Sequence, residues 1–208
     1  MSVNKDDMAP TALVTGTSSG IGVALAHELA RRGHNLTLVA RREDRLRETA
    51  ADITAQHGVN VDWVAADLTD AAERARLVAE VARRGHIVDV LVNNAGMGTI
   101  GRFHELPVER EVDQVRLNVE AVVDLCGAFV PGMVARGYGK VLNVSSVSGF
   151  MPVPKQATYS ASKAFVLTFT EALKLDLHGT GVTATALCPG PVKTEFDGII
   201  AGLPDRLY

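Results

Sequence analysis

Tyr159 and Lys163 stand four residues apart in the run YSASK. On a helix that spacing is about one turn, roughly 6 Å of rise, so a phenol and an ammonium share one face. A free phenol ionises near pH 10 and is a poor base at neutral pH. An adjacent cation stabilises the phenolate and is expected to draw its pKa toward the working range. Thirteen positions before Tyr159 the run KVLNVSS ends at Ser146, whose hydroxyl can bond a carbonyl oxygen and hold it in place. These residue types make a proton-handling site. Asn118 interrupts VRLNVEAVV, and an inward-facing amide there needs partners. It can hold a water in a proton relay, bond back to its own helix or face outward.

A second group of residues suits a phosphate. The run TGTSSGIG carries Gly16, Ser18, Ser19, Gly20, Ile21 and Gly22 between a strand-like segment and a helical one. Glycines let the backbone turn tightly and approach a pyrophosphate, and the free amides and positive dipole end of the following helix attract the anion. The spacing is GxxxGxG rather than the commoner GxGxxG. About 20 residues on, an acidic side chain would bond the adenosine ribose 2′-hydroxyl and an arginine would meet a 2′-phosphate. The sequence there is LVARRED, with Arg41 and Arg42 and no carboxylate at the strand tip. A guanidinium can fork onto a phosphate, which favours NADP over NAD. Next along the chain, Asp67 and Leu68 follow the third strand-like run and are counted among the cofactor contacts; Asp67 can bond an adenine amino group or close a local turn. Asp70 reads as a helix N-cap. In LVNNAG, Gly96 suits either a close approach to a ligand or a tight turn.

The elements that must carry these residues alternate. Apolar, β-branched runs at 12–15, 36–40, 61–65, 88–92, 140–144 and 182–187 predict six strands, and segments of helical period at 22–32, 43–56, 71–84, 108–135 and 161–178 predict helices between them. Continuously apolar strands need both faces covered. The expected fold is therefore α/β: a doubly wound parallel sheet of Rossmann type, a single domain over 1–208 with at least six strands and helices on both faces. Ligands of such sheets bind beyond the carboxyl ends of the strands, where every motif above falls.

Composition bounds the rest. The 208 residues carry 21 Lys+Arg against 24 Asp+Glu, a formal charge of −3, with 47% hydrophobic and 22% charged residues, inside the range of one ordinary globular domain. No basic cluster offers a nucleic-acid footprint, and no uncharged apolar run reaches the 18 or so residues that span a bilayer. Two distant cysteines, Cys126 and Cys188, suit buried free thiols and a cytoplasmic setting. The six histidines show no ligand spacing, so no metal is expected.

Four segments in order, TGTSSGIG, NNAG, Ser146 with YSASK, and PGPVKT at 189–194, resemble the short-chain dehydrogenase/reductase family over about residues 11–194. The resemblance implies a catalytic tetrad of Asn118, Ser146, Tyr159 and Lys163. Tyr159 would be the acid/base and Ser146 would orient the substrate oxygen. Lys163 would bond the nicotinamide ribose and lower the tyrosine pKa, and Asn118 would anchor a water of the relay. It further implies that Asn94, Ala95 and Gly96 line the cofactor and that Pro189, Gly190, Val192 and Thr194 embrace its nicotinamide end. The activity implied is an NADP(H)-dependent interconversion of an alcohol and a ketone or aldehyde. Walls drawn from 97–103, 149–158 and 191–208, with Ile100, Phe103, Phe150, Met151, Val153 and Phe196, favour an apolar or acyl carbonyl substrate. A homodimer or homotetramer is implied by the pairing of helices across a dimer axis in relatives. Relatives also continue past PGxxxT with a lid, a further helix and a seventh strand, so a chain ending at Tyr208 is expected to be short at its C-terminus, by omission or by nature. The alternative reading is a cofactor-binding sensor or scaffold that no longer turns over; an epimerase or dehydratase of the extended branch needs a larger C-terminal domain than this chain has room for.

Overall fold

The computed structural model describes residues 10–192. Six parallel strands, β1 (Thr11–Thr15), β2 (Asn35–Ala40), β3 (Val61–Ala65), β4 (Val88–Asn93), β5 (Gly139–Val144) and β6 (Val182–Leu187), lie in the order β3-β2-β1-β4-β5-β6. Between them run α1 (Gly20–Arg31), α2 (Glu43–His57), α3 (Ala71–Arg83), α4 (Val108–Val115), α5 (Ala121–Arg136) and α6 (Ala157–Asp176). The strand order reverses between β1 and β4, which opens a crevice at the carboxyl edge of those strands.

The strands form where β-branched and leucine side chains dominate, and both faces of the central strands are covered, while the edge strands β3 and β6 expose Asp62, Thr183 and Thr185. One core cluster takes Leu13, Val39, Leu91 and Val141 against α3, α5 and α6; the other takes Val14, Leu38, Val90 and Val92 against α1 and α2. Asp70 caps α3 by accepting from the Ala72 amide at 2.8 Å, as its sequence position predicts. Three expectations shift. The glycine turn yields to α1 two residues earlier than the periodicity indicates, and α6 starts at Ala157, so Tyr159 sits inside its first turn. The segment expected as one helix over 108–135 is broken into α4 and α5 by a π turn at Arg116–Glu120 that carries Asn118.

The whole run from Val108 to Arg136 is long and apolar enough, by length and composition alone, to cross a membrane. Here it lies along the sheet, with Leu125, Cys126 and Met133 in the core. Its Glu120 and Asp124 meet the buried guanidinium of Arg74, at 3.5 and 2.5 Å, which also donates to the Leu68 carbonyl at 2.9 Å.

At the sheet centre Asn93 and Asn143 are register partners on β4 and β5, both buried. Asn93 Nδ2 donates to Asn143 Oδ1 at 2.9 Å, Asn143 Nδ2 donates to Thr170 Oγ1 on α6 at 2.9 Å, and Thr170 donates to the Val166 carbonyl at 2.6 Å. This ladder fixes how α6 is turned about its axis and so which of its residues face the crevice.

Candidate active site

A cleft of about 650 Å³ runs along the carboxyl edge of the sheet. Its first end is built largely from backbone. Gly16 adopts φ +73°, and a Cβ there would come within 2.6 Å of Asn94 Nδ2 and 2.9 Å of Ala95 Cα, so only glycine fits the turn. Among the described residues Ser19 precedes α1 without a side-chain capping bond, in contrast to Asp70 at α3; such a helix start suits an anion. Ser18, Ser19, Gly20 and Ile21 line the cleft. Gly22 does not: it packs behind the turn, where a Cβ would run into the Gly16 carbonyl and the Asn94 amide. The missing Cβ lets helix pack closely on strand there.

The buried Thr15 hydroxyl holds turn and β4 together, accepting from the Asn94 and Ala95 amides at 3.0 Å each. Asn94 Nδ2 returns a bond to the Thr15 carbonyl at 2.9 Å. Thr15 is a positioning residue that the sequence offered only as the letter opening TGTSSGIG. Arg41 and Arg42 both line the cleft at the tip of β2. Arg42 Nη2 donates to the Ser18 carbonyl and hydroxyl at 3.2 Å, folding the guanidinium onto the glycine turn, and Arg41 lies 3.9 Å from the Asp67 carboxylate. Asp67 accepts from the Thr69 amide at 3.0 Å and the Thr69 hydroxyl at 2.8 Å, a local turn, while it and Leu68 also line the cleft.

The second end is built from buried side chains. Ser146, Tyr159 and Lys163 line it together with Asn94, Ala95 and Gly96, and Pro189, Gly190 and Val192 close it; Thr194 and Phe196 lie outside the described residues. The Lys163 ammonium is 5% exposed and donates to the Val144 carbonyl at 2.9 Å. The Ser145 hydroxyl donates to the Lys163 carbonyl at 2.7 Å and fixes the first turns of α6 against β5. Gly96 leaves room at the centre, since a Cβ there would lie 3.2 Å from Asn118 Oδ1 and 3.3 Å from Lys163 Nζ.

Burial raises the Tyr159 pKa above its ordinary value, against a smaller lowering by its hydrogen bond with Ser146. The expectation that Lys163 pulls the phenol down is not met in this geometry. Nζ stands 5.8 Å from the centroid of the Tyr159 ring, and burial pushes the ammonium's own pKa down to about 8.

Asn118 faces inward but does not line the cleft, which decides among its three sequence readings in part. Its Oδ1 accepts from the Met97 amide at 3.0 Å, and its Nδ2 donates to the Met97 carbonyl at 2.9 Å and the Ser162 hydroxyl at 3.0 Å. Both amide protons and one lone-pair direction are thereby used to hold the segment after NNAG and the start of α6.

The tyrosine, serine and lysine converge at one end of a cleft whose other end is an uncapped glycine turn, and the chain matches the short chain dehydrogenase family model over residues 10–201. The chain belongs to that family. Among solved structures, a short-chain dehydrogenase from Sphingobium yanoikuyae in complex with NADPH is 39% identical with a TM-score of 0.86, covering 91% of this chain and 73% of the other. The bulky-bulky ketone specific alcohol dehydrogenase from Comamonas testosteroni is 35% identical with a TM-score of 0.84, over 94% and 76%. An actinorhodin polyketide ketoreductase with NADPH is 40% identical with a TM-score of 0.84, over 89% and 72%. As a member of the short-chain dehydrogenases the chain is an oxidoreductase with a Rossmann-type sheet.

The expected apolar walls divide. Val153 lines the cleft, whereas Phe103, Phe150 and Met151 are 58–63% exposed, and the last two border a separate open groove. Sequence spacing assigns no role to Arg74, nor to Ser145 and Ser162, although these two lie inside KVLNVSS and YSASK, because they act through backbone carbonyls or other side chains.

Proposed function

We propose that the protein is an NADP(H)-dependent oxidoreductase that interconverts an alcohol and a ketone or aldehyde, acting on an apolar or acyl carbonyl compound. The observation that carries this reading is the single cleft joining the glycine turn and two arginines to the buried Tyr159, Ser146 and Lys163. A nicotinamide dinucleotide suits these residues: the uncapped amides of α1 and Gly16 suit its pyrophosphate, Arg41 and Arg42 its 2′-phosphate, and the Lys163 ammonium, with three donors, its nicotinamide ribose. When bound it supplies the hydride for the carbonyl carbon. Three of the similar structures named above, two with NADPH and one specific for bulky ketones, support the same choice.

On this reading Ser146 donates a hydrogen bond to the carbonyl oxygen and fixes its position. Tyr159 gives its proton to that oxygen during reduction and takes it back during oxidation. Lys163, charged below its pKa of about 8, would donate to the nicotinamide ribose and hold the cofactor beside the phenol. Asn118 acts by fixing the chain at Met97, next to Gly96, and the second turn of α6 through Ser162. Val123, Phe165 and Leu175, exposed on α5 and α6, support pairing of two copies through these helices.

Titration with NADPH and NADH, followed by nicotinamide fluorescence, and a panel of bulky, aryl and acyl ketones test the proposal. NADPH should bind tighter by about tenfold or more, the worth of one charge-assisted pair, and should be oxidised with at least one ketone. Tight binding without turnover on any carbonyl would favour the sensor reading instead.

A further inference from the structure

Helix α4 is turned against its own hydropathy. Val108, Val112 and Val115 are 40–57% exposed, while Glu111 is 4% exposed and Gln114 is fully buried. Burying a carboxylate and an amide while apolar residues face outward costs free energy that hydrophobic burial does not return. The compensation lies in what these two side chains hold. Thr99 Oγ1, on the segment that leads from Gly96 toward the cleft mouth, lies 2.6 Å from Glu111 Oε1 and 3.4 Å from Gln114 Oε1. One hydroxyl proton cannot serve both acceptors. The short contact takes it, and a half-turn of the Gln114 amide, whose buried Nε2 otherwise has no partner among the described residues, gives Thr99 a donor in return.

The segment 97–101 is thus fastened to the α4 region at two points, Met97 by Asn118 and Thr99 by Glu111 with Gln114. It is tied at its far end to the loop before α6, because the Gly101 amide donates to the Lys155 carbonyl at 2.9 Å. Lys155 is the one non-glycine residue with positive φ among those described, at +66°. A strained residue persists where its surroundings over-determine it. Val153 and Gln156, on either side of Lys155, line the catalytic end of the cleft.

We propose that Glu111, acting through Thr99, is a positioning residue that sets the spacing of the two loops flanking the carbonyl substrate, and so governs substrate affinity rather than cofactor binding. The inference rests on the dehydrogenase reading above. Thr99→Val deletes the bridging hydroxyl with little change of shape, Glu111→Leu deletes the carboxylate, and Glu111→Gln keeps an accepting oxygen.

Thr99→Val and Glu111→Leu should each raise KM for a bulky ketone about tenfold, in line with small misplacements near a reacting centre, with kcat and NADPH affinity changed less than about twofold. Glu111→Gln should recover most of the loss, and the double variant Thr99→Val/Glu111→Leu should be no worse than the poorer single one. Amide hydrogen exchange of holoenzyme should quicken at 97–101 and 155–156 and stay unchanged at 16–22. An unaltered KM in Thr99→Val, or parallel losses in NADPH affinity and in exchange protection across the glycine turn, would overturn the proposal. An inactive wild-type protein would defeat the dehydrogenase reading instead, and the exchange pattern would then decide the clamp by itself.

Discussion

The two ends of the cleft are made of different materials. The nucleotide end is backbone: a left-handed Gly16, uncapped amides on α1 and two exposed arginines. The catalytic end is side chain: Ser146 and Lys163 are buried, and Asn118 and Ser162 behind them are bonded to one another across α5's approach and α6. A backbone site tolerates exchange of most side chains and fails when a Cβ intrudes. A side-chain site tolerates changes of shape around it and fails when one functional atom is removed. The contrast is open to test, from the most severe perturbation to the mildest.

Replacing Tyr159 with Phe removes one oxygen from the catalytic end. Turnover should fall by about 10³, within the range of general acid–base catalysis, while NADPH affinity by fluorescence stays within about twofold of wild type. Retention of most activity would take the phenol out of the acid/base role and dissolve the distinction between the ends.

Gly22→Ala adds one carbon at the other end, against the Gly16 carbonyl. Overpacking of this kind costs about 2 kcal/mol, which thermal unfolding should register as a fall in Tm of roughly 4–8 °C. NADPH affinity should weaken alongside it, because the turn must shift. An unchanged Tm would mean that the turn is softer than its packing indicates.

Arg41→Ala with Arg42→Ala adds no atom to the turn; it removes two charges together with the Arg42 bonds to the Ser18 carbonyl and hydroxyl. NADPH binding should weaken by about tenfold, one charge-assisted contact, with NADH binding nearly unmoved. Equal losses for the two nucleotides would sink the assignment of these arginines to a 2′-phosphate.

The mildest test couples the ends through pH. Burial holds the Lys163 pKa at about 8 against an ordinary 10.5, so the ammonium is present below that pH and lost as pH rises through it. NADPH affinity should decline across pH 7 to 9.5 with a midpoint near 8 in wild type and in Tyr159→Phe alike, and the slope should flatten in Lys163→Met. A midpoint unchanged by Lys163→Met would assign the titration to another group.

The same contrast explains what could be read in advance. The six strands were legible because each has an apolar, β-branched core, nearly unbroken in a central strand such as Leu36–Ala40 and alternating with exposed Thr183 and Thr185 in the edge strand β6. The glycine turn and the Tyr159, Lys163 and Ser146 set were legible because each has a fixed spacing at a strand end. The π turn was not, because a polar residue inside an apolar helical run looks the same whether it bonds across the structure or faces solvent; only the Met97 and Ser162 partners of Asn118 distinguish the two. The rotation of α4 was hidden for a stronger reason, since VEREVDQV read by hydropathy puts its valines inward and its glutamate outward. Arg74 was hidden likewise: an arginine in an amphipathic helix reads as solvated until Glu120, Asp124 and the Leu68 carbonyl are found around it.

The asparagine ladder from β4 through β5 to α6 bears on how the chain finds its fold at all. The apolar interior around it would accept several near-equivalent matings of neighbouring strands, since valine and leucine pack against one another almost interchangeably. A one-residue slip of β5 would strand both amides in hydrocarbon, a penalty of several kcal/mol, so misassembled sheets are discouraged at the place where an error would rotate the reacting helix. Swapping the three polar residues for apolar ones of similar size should therefore yield a protein that melts later yet folds less uniformly.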